Sequence, residues 1–423
     1  MARIAFHTLG CKLNFTETAT LARQLVQAGH TITDWEAEAE VYVLNTCSVT
    51  HQAEKKAHKL LRQVHRRSPQ AKLVVTGCYA QRDAVSLAQL PGVSLVATNA
   101  QKPFLAEQIQ QLLAGKQSEL PSVSFQREWT WLAHSAEGRT RAFLKVQDGC
   151  DYKCSFCIVP QTRGPSRSAP PDVVLTQALR IAQEGYREIV LTGINLGDYG
   201  KPHGASFLEL LQKLEKHTPD SVLRFRLSSI EPNLLSDSIL DFIQDSPRWA
   251  IHFHLPLQSG SDRILGRMRR RYRRALYTSR VEAIRKRFPL AGIGVDVIVG
   301  FPGEKPEDFA ETHKFLADLP ISYLHVFPYS ERPNTPAASF TESVPWSERL
   351  ARSEILRELS QRKKRIFAES CKGHRLHLLL ETPDEGLTEN YLRVHLHQPH
   401  TENQLLTIHI TEVQPEGEVW GHP

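Results

Sequence analysis

Gly149-Cys150-Asp151-Tyr152-Lys153-Cys154-Ser155-Phe156-Cys157 decides how the chain is read. Three cysteines stand at CxxxCxxC spacing, directly after a strand-like run, residues 141–147, and a glycine. A loop of eight residues wraps three thiolates around one soft cation or cluster. Thiolates select zinc, copper(I) or iron–sulfur chemistry. Structural zinc wants four ligands, and no further Cys or His lies close by in sequence. Ferredoxin-type clusters also use four cysteines. Three ligands suggest a 4Fe-4S cluster with one iron left open to a substrate. Zinc, or three buried thiols, is the alternative on this loop alone.

Working outward, three more cysteines follow strand-like segments. Cys11 ends residues 3–9, Cys47 ends 41–44 with Asn45-Thr46, and Cys78 ends 72–75 with Thr76-Gly77. A fourth strand is expected at 93–97 with a helix after Gln101, and the earlier helices at 18–28 and 52–67. Asn14-Phe15-Thr16-Glu17 has the spacing of a capping box. Strands alternating with helices imply a parallel sheet, and open parallel sheets place ligands past their carboxyl edge. Three cysteines 36 and 31 residues apart can then meet. A free Cys is often a small core residue. Three at equivalent places in three strand–loop units favour a second cluster. Cys371 stands alone and reads as structural.

From residue 141 a second βα series begins. Strands are expected at 141–148, 188–194, 223–229, 250–257, 292–301 and 321–329. Helices are expected at 171–185, 206–217, 234–245, 261–287, 305–318 and 346–370. Six βα units suggest a partial barrel with the cluster loop at its carboxyl-end rim. Other strand ends there are polar and glycine-rich: 191–197, 226–232 and 254–260. His252 and His254 alternate along a strand and read as strand residues rather than metal ligands. Residues 376–380, 391–394 and 405–413 read as strands of a small β-barrel, the kind of module that can grip RNA.

The 423 residues are 41% hydrophobic and 23% charged, which fits a globular protein of two or three domains. No run of 18 apolar residues suggests a membrane span, and the start lacks the apolar segment of a signal peptide. A reducing cytoplasm suits seven cysteines kept as thiols. The net charge of +6 permits a nucleic-acid partner. From Cys371 onward the balance is three Lys/Arg against eight Asp/Glu. The densest basic run is Arg267-Met268-Arg269-Arg270-Arg271-Tyr272-Arg273-Arg274. Together with Lys55, Lys56, Lys59, Arg62, Arg66 and Arg67, it is the expected phosphate contact.

The loop at Cys150 resembles that of the radical S-adenosylmethionine (SAM) enzymes, in which the open iron chelates SAM. With both cysteine sets, nearly the whole chain resembles the radical SAM methylthiotransferases. Thr8-Leu9-Gly10-Cys11-Lys12-Leu13-Asn14, Leu191-Thr192-Gly193-Ile194-Asn195-Leu196-Gly197 and Leu227-Ser228-Ser229-Ile230-Glu231-Pro232 look like the MtaB type. The resemblance implies an α/β chain in four parts. A Rossmann-like amino-terminal domain spans 1–118 and a connector 119–140. A partial (β/α)6 radical SAM barrel spans 141–367 and a TRAM-like β-barrel 368–423. It implies that Cys150, Cys154 and Cys157 hold the SAM cluster and that Cys11, Cys47 and Cys78 hold an auxiliary 4Fe-4S cluster. Gly193, Asn195, Ser229 and Gln258 would lie near SAM. The implied activity methylthiolates carbon 2 of threonylcarbamoyladenosine at tRNA position 37, beside the anticodon. It uses two SAM molecules and an electron donor such as a flavodoxin or ferredoxin. Isopentenyladenosine tRNA or a ribosomal protein is the alternative substrate. A two-cluster RNA-binding or electron-transfer protein is the alternative class. Nothing in the sequence demands more than a monomer. One departure stands out: the TRAM-like segment is acidic where an RNA grip should be basic.

Overall fold

A computed structural model describes the chain except residues 117–119, 126, 127, 130, 136–139 and 416. Part of the expected connector, at 119, 126, 127, 130 and 136–139, therefore lies outside the described residues. The chain divides into two compact units. One comprises 1–137, 143–169 and 330–338; the other comprises 138–142, 170–329 and 339–423.

In the first unit five parallel strands lie in the order Thr31–Thr33, Arg3–Thr8, Val41–Thr46, Lys72–Gly77, Val93–Ala97. The edge strand Thr31–Thr33 was not expected; three residues carry too little pattern to read. The central strand Val41–Thr46 is buried throughout, as a sheet covered on both faces requires. Tyr42 and Leu44 pack with Ala57, Leu61 and Val64 of the helix His51–Arg67. Val41 and Val43 pack the other way, with Leu21, Leu25, Leu105 and Ile109. This is a doubly wound sheet whose order reverses between Arg3–Thr8 and Val41–Thr46. Folds of this type bind ligands at that reversal.

The first helix begins at Lys12, six residues earlier than expected. The capping-box reading of Asn14 and Glu17 is thereby corrected. Both are buried inside that helix, and their partners are given below.

In the second unit Glu188–Thr192 pairs with Arg224–Leu227. His252–Gln258, Gly292–Val299 and Tyr323–Pro328 form a second parallel sheet. Bridges Phe225↔Trp249 and Ser229↔His254 join the two. With Arg141–Lys145, all six expected βα strands occur. The helix expected over 261–287 is two helices, Asp262–Arg267 and Arg274–Arg287. The Tyr272 hydroxyl is drawn under the chain to the Pro256 and Leu257 carbonyls, and Arg269 adopts φ 57°.

Arg375–Leu380, Glu385–Thr388, Arg393–Leu396, Leu405–Val413 and Val419–His422 close into a small barrel. Two of these strands, Glu385–Thr388 and Val419–His422, were missed; each is four residues long and contains a glycine. Cys371 is fully buried in this core beside Phe367 and Leu376, and accepts a hydrogen bond from Asn390. The small barrel is anchored by main chain. Arg224 donates to the carbonyls of His377 and Leu387 at 2.8 and 2.9 Å. Arg226 donates to those of Glu389 and Thr388 at 3.0 and 2.8 Å. Both guanidiniums bind the buried Glu188. Burial alone would push the Glu188 carboxyl up, but the two arginines outweigh it and hold it well below the usual carboxylate range.

Candidate metal centres

The loop at Cys150 closes tightly on itself. Cys150 N–H donates to the Gly164 carbonyl at 3.1 Å, and Cys157 N–H to the Cys154 carbonyl at 3.2 Å. Gly149 has φ +71°, and a Cβ there would lie 2.0 Å from the Pro165 carbonyl oxygen. Only glycine lets the two ends of the loop meet. The Tyr152 N–H points at Cys150 Sγ and the Val159 N–H at Cys157 Sγ, both at 3.4 Å. Main-chain donors on sulfur favour the thiolate form that a cluster needs. All three cysteines are free of disulfides.

Cys11, Cys47 and Cys78 follow three adjacent strands, and Cys11 and Cys47 flank the sheet reversal. A Cβ on Gly10 would lie 3.2 Å from Cys47 Sγ, so the first and second loops touch. Burial pushes the Cys47 thiol up to about 12, with Cys78 and Cys11 each adding to the rise and the Val49 N–H opposing it. A thiol raised in this way stays protonated unless a cation joins it. The donor set therefore fits a soft metal or cluster.

A buried lattice of charge ties the two cysteine sets within this unit. Arg163 ends the short helix Val159–Arg163 that follows Cys157. Its guanidinium donates to Glu17 at 3.0 Å, to Asp148 at 3.1 Å and to Asn14 Oδ1. Asn14 in turn donates to the carbonyls of Leu9 and Thr46 at 2.8 and 3.0 Å, next to Cys11 and Cys47. Lys102 and Lys145 also bind Glu17, while Lys145 and Arg167 bind Asp148. Burial opposes ionisation of Glu17, but Arg163, Lys102 and Lys145 hold it well below the usual range.

Four cations thus meet two carboxylates, leaving two positive charges over. They face sulfur: Arg163 is within electrostatic reach of Cys78 and Cys11, and Lys102 of Cys78. A buried surplus of this sign calls for an anionic neighbour, which thiolate-held clusters supply. Asn99 adds a second link, donating to Cys78 Sγ at 3.5 Å and to the Thr162 carbonyl at 2.7 Å. Sequence reasoning missed Asn14, Glu17, Arg163 and Asn99 as supports of the site. Their pairing spans up to 149 residues and leaves no local pattern.

In the second unit Gly193 and Asn195 lie past the end of Glu188–Thr192 and Ser229 past Arg224–Leu227. Gln258 ends His252–Gln258 beside a register shift and has φ 76°. A non-glycine residue held there costs about 1 kcal/mol or more and often marks a ligand clamp. Ser229 Oγ is 2.7 Å from His254 Nδ1, and His254 Nε2 is 3.0 Å from Asp296. Ligand atoms of His254, Asp296 and His325 lie within 4.8 Å of one another. His252 instead stacks on Tyr391 and meets the Tyr323 hydroxyl at its edge. The signal for the His254 trio was register: Asp296 pairs with His325, and His254 lies on the same face.

The expected phosphate contact at 267–274 is partly corrected. Arg267, Arg270 and Arg274 are held by Glu342, Glu231 and Glu311. Among the described residues, no helix is long and apolar enough to cross a membrane.

Residues 3–98 match the family described as uncharacterized protein family UPF0004, and residues 144–316 match the radical SAM superfamily. Threonylcarbamoyladenosine tRNA methylthiotransferase MtaB of Aquifex aeolicus is 39% identical, over 93% of this chain and 96% of its own. A tRNA-2-methylthio-N(6)-dimethylallyladenosine synthase of Wolinella succinogenes is 35% identical, over 85% and 86%. Among solved structures, the radical S-adenosylmethionine methyltransferase TsrM of Kitasatospora setae shares the fold. Its TM-score is 0.59 at 15% identity, over 79% of this chain and 77% of that one.

Proposed function

The chain belongs to the radical SAM methylthiotransferase family, and from that premise we propose that it methylthiolates threonylcarbamoyladenosine in the anticodon loop of tRNA. The observation that carries this reading is the single guanidinium, Arg163, that braces both cysteine-bearing segments. A chain built only to bind RNA has no use for two thiol triads joined by buried charge.

Cys150, Cys154 and Cys157 would hold the cluster that binds SAM, and Cys11, Cys47 and Cys78 an auxiliary cluster. Bound there, these groups supply a reducing electron and radical chemistry able to open an unactivated C–H bond. The protein's own residues do the positioning. The Tyr152 and Val159 N–H groups moderate charge on sulfur. Arg163 and Lys102 would balance the negative charge of a cluster held at Cys78. Asn14 fixes the Cys11 and Cys47 loops to one another. Gly193, Asn195, Ser229 and Gln258 are assigned to SAM. The electron enters from an outside donor of flavodoxin or ferredoxin type, and the setting is the cytoplasm.

After anoxic reconstitution the chain is expected to carry about eight irons, four per cluster. Cys47→Ala is expected to lose about half of the iron and still release 5′-deoxyadenosine from SAM. Cys154→Ala is expected to lose the other half and release none. Nucleoside mass spectrometry of tRNA incubated with the enzyme checks the substrate. A methylthio group on isopentenyladenosine alone would overturn the assignment.

A further inference from the structure

The second unit contains a cavity of about 300 Å³ whose lining includes Tyr323, His325, Lys364, Tyr391, Arg141 and Arg393. Among the described residues, no Asp or Glu lines it. We propose that this cavity holds the carboxylate-bearing amino-acid appendage of the substrate nucleoside, with Lys364 as the countercharge. The proposal rests on the function argued above and names the part of the substrate that the chain reads.

Charge comes first. Arg141 and Arg393 both bind Glu381, and Arg393 also binds Glu385. Lys364 has no ion-pair or hydrogen-bond partner among the described residues, although Lys363 beside it is bound by two carbonyls. One positive charge is therefore left facing the cavity. Lys364 is exposed and needs no partner to be tolerated; lining the cavity beside aromatic rings, it is placed to meet an anion.

Rigidity comes next. Tyr391 stacks on His252, ring centroids 4.1 Å apart, while Tyr323 lies beside both, its centroid 6.1 Å from His252 and 6.2 Å from Tyr391. His252 Nε2 is 2.8 Å from the Tyr323 hydroxyl, which fixes both rings. Tyr391 sits at φ 71°, a left-handed conformation that a bulky side chain rarely adopts. Its N–H bonds to the Thr388 carbonyl at 3.1 Å, and the Arg226 guanidinium lies 5.3 Å from its ring. Strain of this kind, held by neighbours, is a mark of a binding site.

Size agrees, and although Arg141 and Tyr323 open their strands, so that the cavity lies at the amino ends, the strand Tyr323–Pro328 leads from it toward the carboxyl rim. About 300 Å³ is the small end of ligand pockets, right for an amino-acid group rather than a whole nucleotide. His325 lines the cavity and also belongs to the cluster with His254 and Asp296. Phe327, two residues along the same face of the strand, is an exposed aromatic. A purine stacked along this strand would direct its N6 substituent toward Lys364. A site built to bond a charged group discriminates strongly against an analogue lacking it. An isopentenyl group offers Lys364 nothing.

The test compares three anticodon stem-loop RNAs. One carries threonylcarbamoyladenosine, one the same nucleoside with its carboxylate converted to a carboxamide, and one unmodified adenosine. Binding to the anoxically reconstituted full chain is read by fluorescence anisotropy. The wild-type protein is expected to prefer the acid by about tenfold. Lys364→Met should cut the preference below about twofold, and Lys364→Arg should keep most of it. Lys364 is exposed, so neither change threatens folding. Equal binding of acid and amide by the wild type overturns the proposal, as does an undiminished preference in Lys364→Met. A wild-type protein that binds unmodified adenosine RNA as well as either overturns the substrate reading itself.

Discussion

The helix His51–Arg67 and the segment 267–274 are the two most basic stretches of the chain, and the fold uses them in opposite ways. On the helix, Lys55, Lys59, Arg62 and Arg66 recur every three or four residues and form one exposed stripe. None of the four has an acidic partner among the described residues. The helix's own acid, Glu54, is buried and taken by Arg82 and Arg332. In the segment, three of six arginines are spent on carboxylates, and Arg270 is nearly inaccessible. Arg273 bonds to the carbonyls of Arg270 and Tyr272. The difference teaches that a count of cations in sequence measures supply, and only the neighbours show how much charge reaches a phosphate.

Three experiments press on that contrast. Reversing the stripe with Lys55→Glu, Lys59→Glu and Arg62→Glu should weaken tRNA binding about a thousandfold at low salt. It should also flatten the slope of affinity against salt by about three contacts. A salt titration of tRNA affinity reads both, and an unchanged slope would erase the distinction. Arg270→Ala should act on folding instead. Glu231 is left unpaired beneath it, at a cost of about 3 kcal/mol in urea unfolding, with no change in the salt slope. Reversing the exposed Arg269 and Arg271 should change tRNA affinity least, by less than about threefold.

The same contrast explains what could be read from the sequence. The loop at Cys150 could be singled out because its three thiols are local, at CxxxCxxC spacing. The placement of Cys11, Cys47 and Cys78 past strand ends could be read because the strands carry an apolar pattern, strongest in Val41–Thr46 and Lys72–Gly77. Long helices such as Trp346–Ser370 fell where their periodicity put them. What escaped was whatever depended on a distant partner. Asn14 and Glu17 looked like a helix cap and proved to be the floor of a buried ion lattice reaching Arg163 and Lys145. The segment 267–274 looked like part of one helix because the carbonyls that draw in Tyr272 lie on another element. His325 looked like an ordinary strand residue until register set it opposite Asp296.

Arg224 and Arg226 grip the small barrel by four carbonyl oxygens, and Arg226 also lies over the Tyr391 ring. The carbonyl part of that attachment is blind to residue identity, so the barrel's outer face can drift in composition while its seat is preserved. An acidic exterior is then no obstacle to assembly. A chain shortened at residue 370 would leave two guanidiniums without those acceptors, so its loss of activity would measure misfolding before it measured any loss of RNA contact.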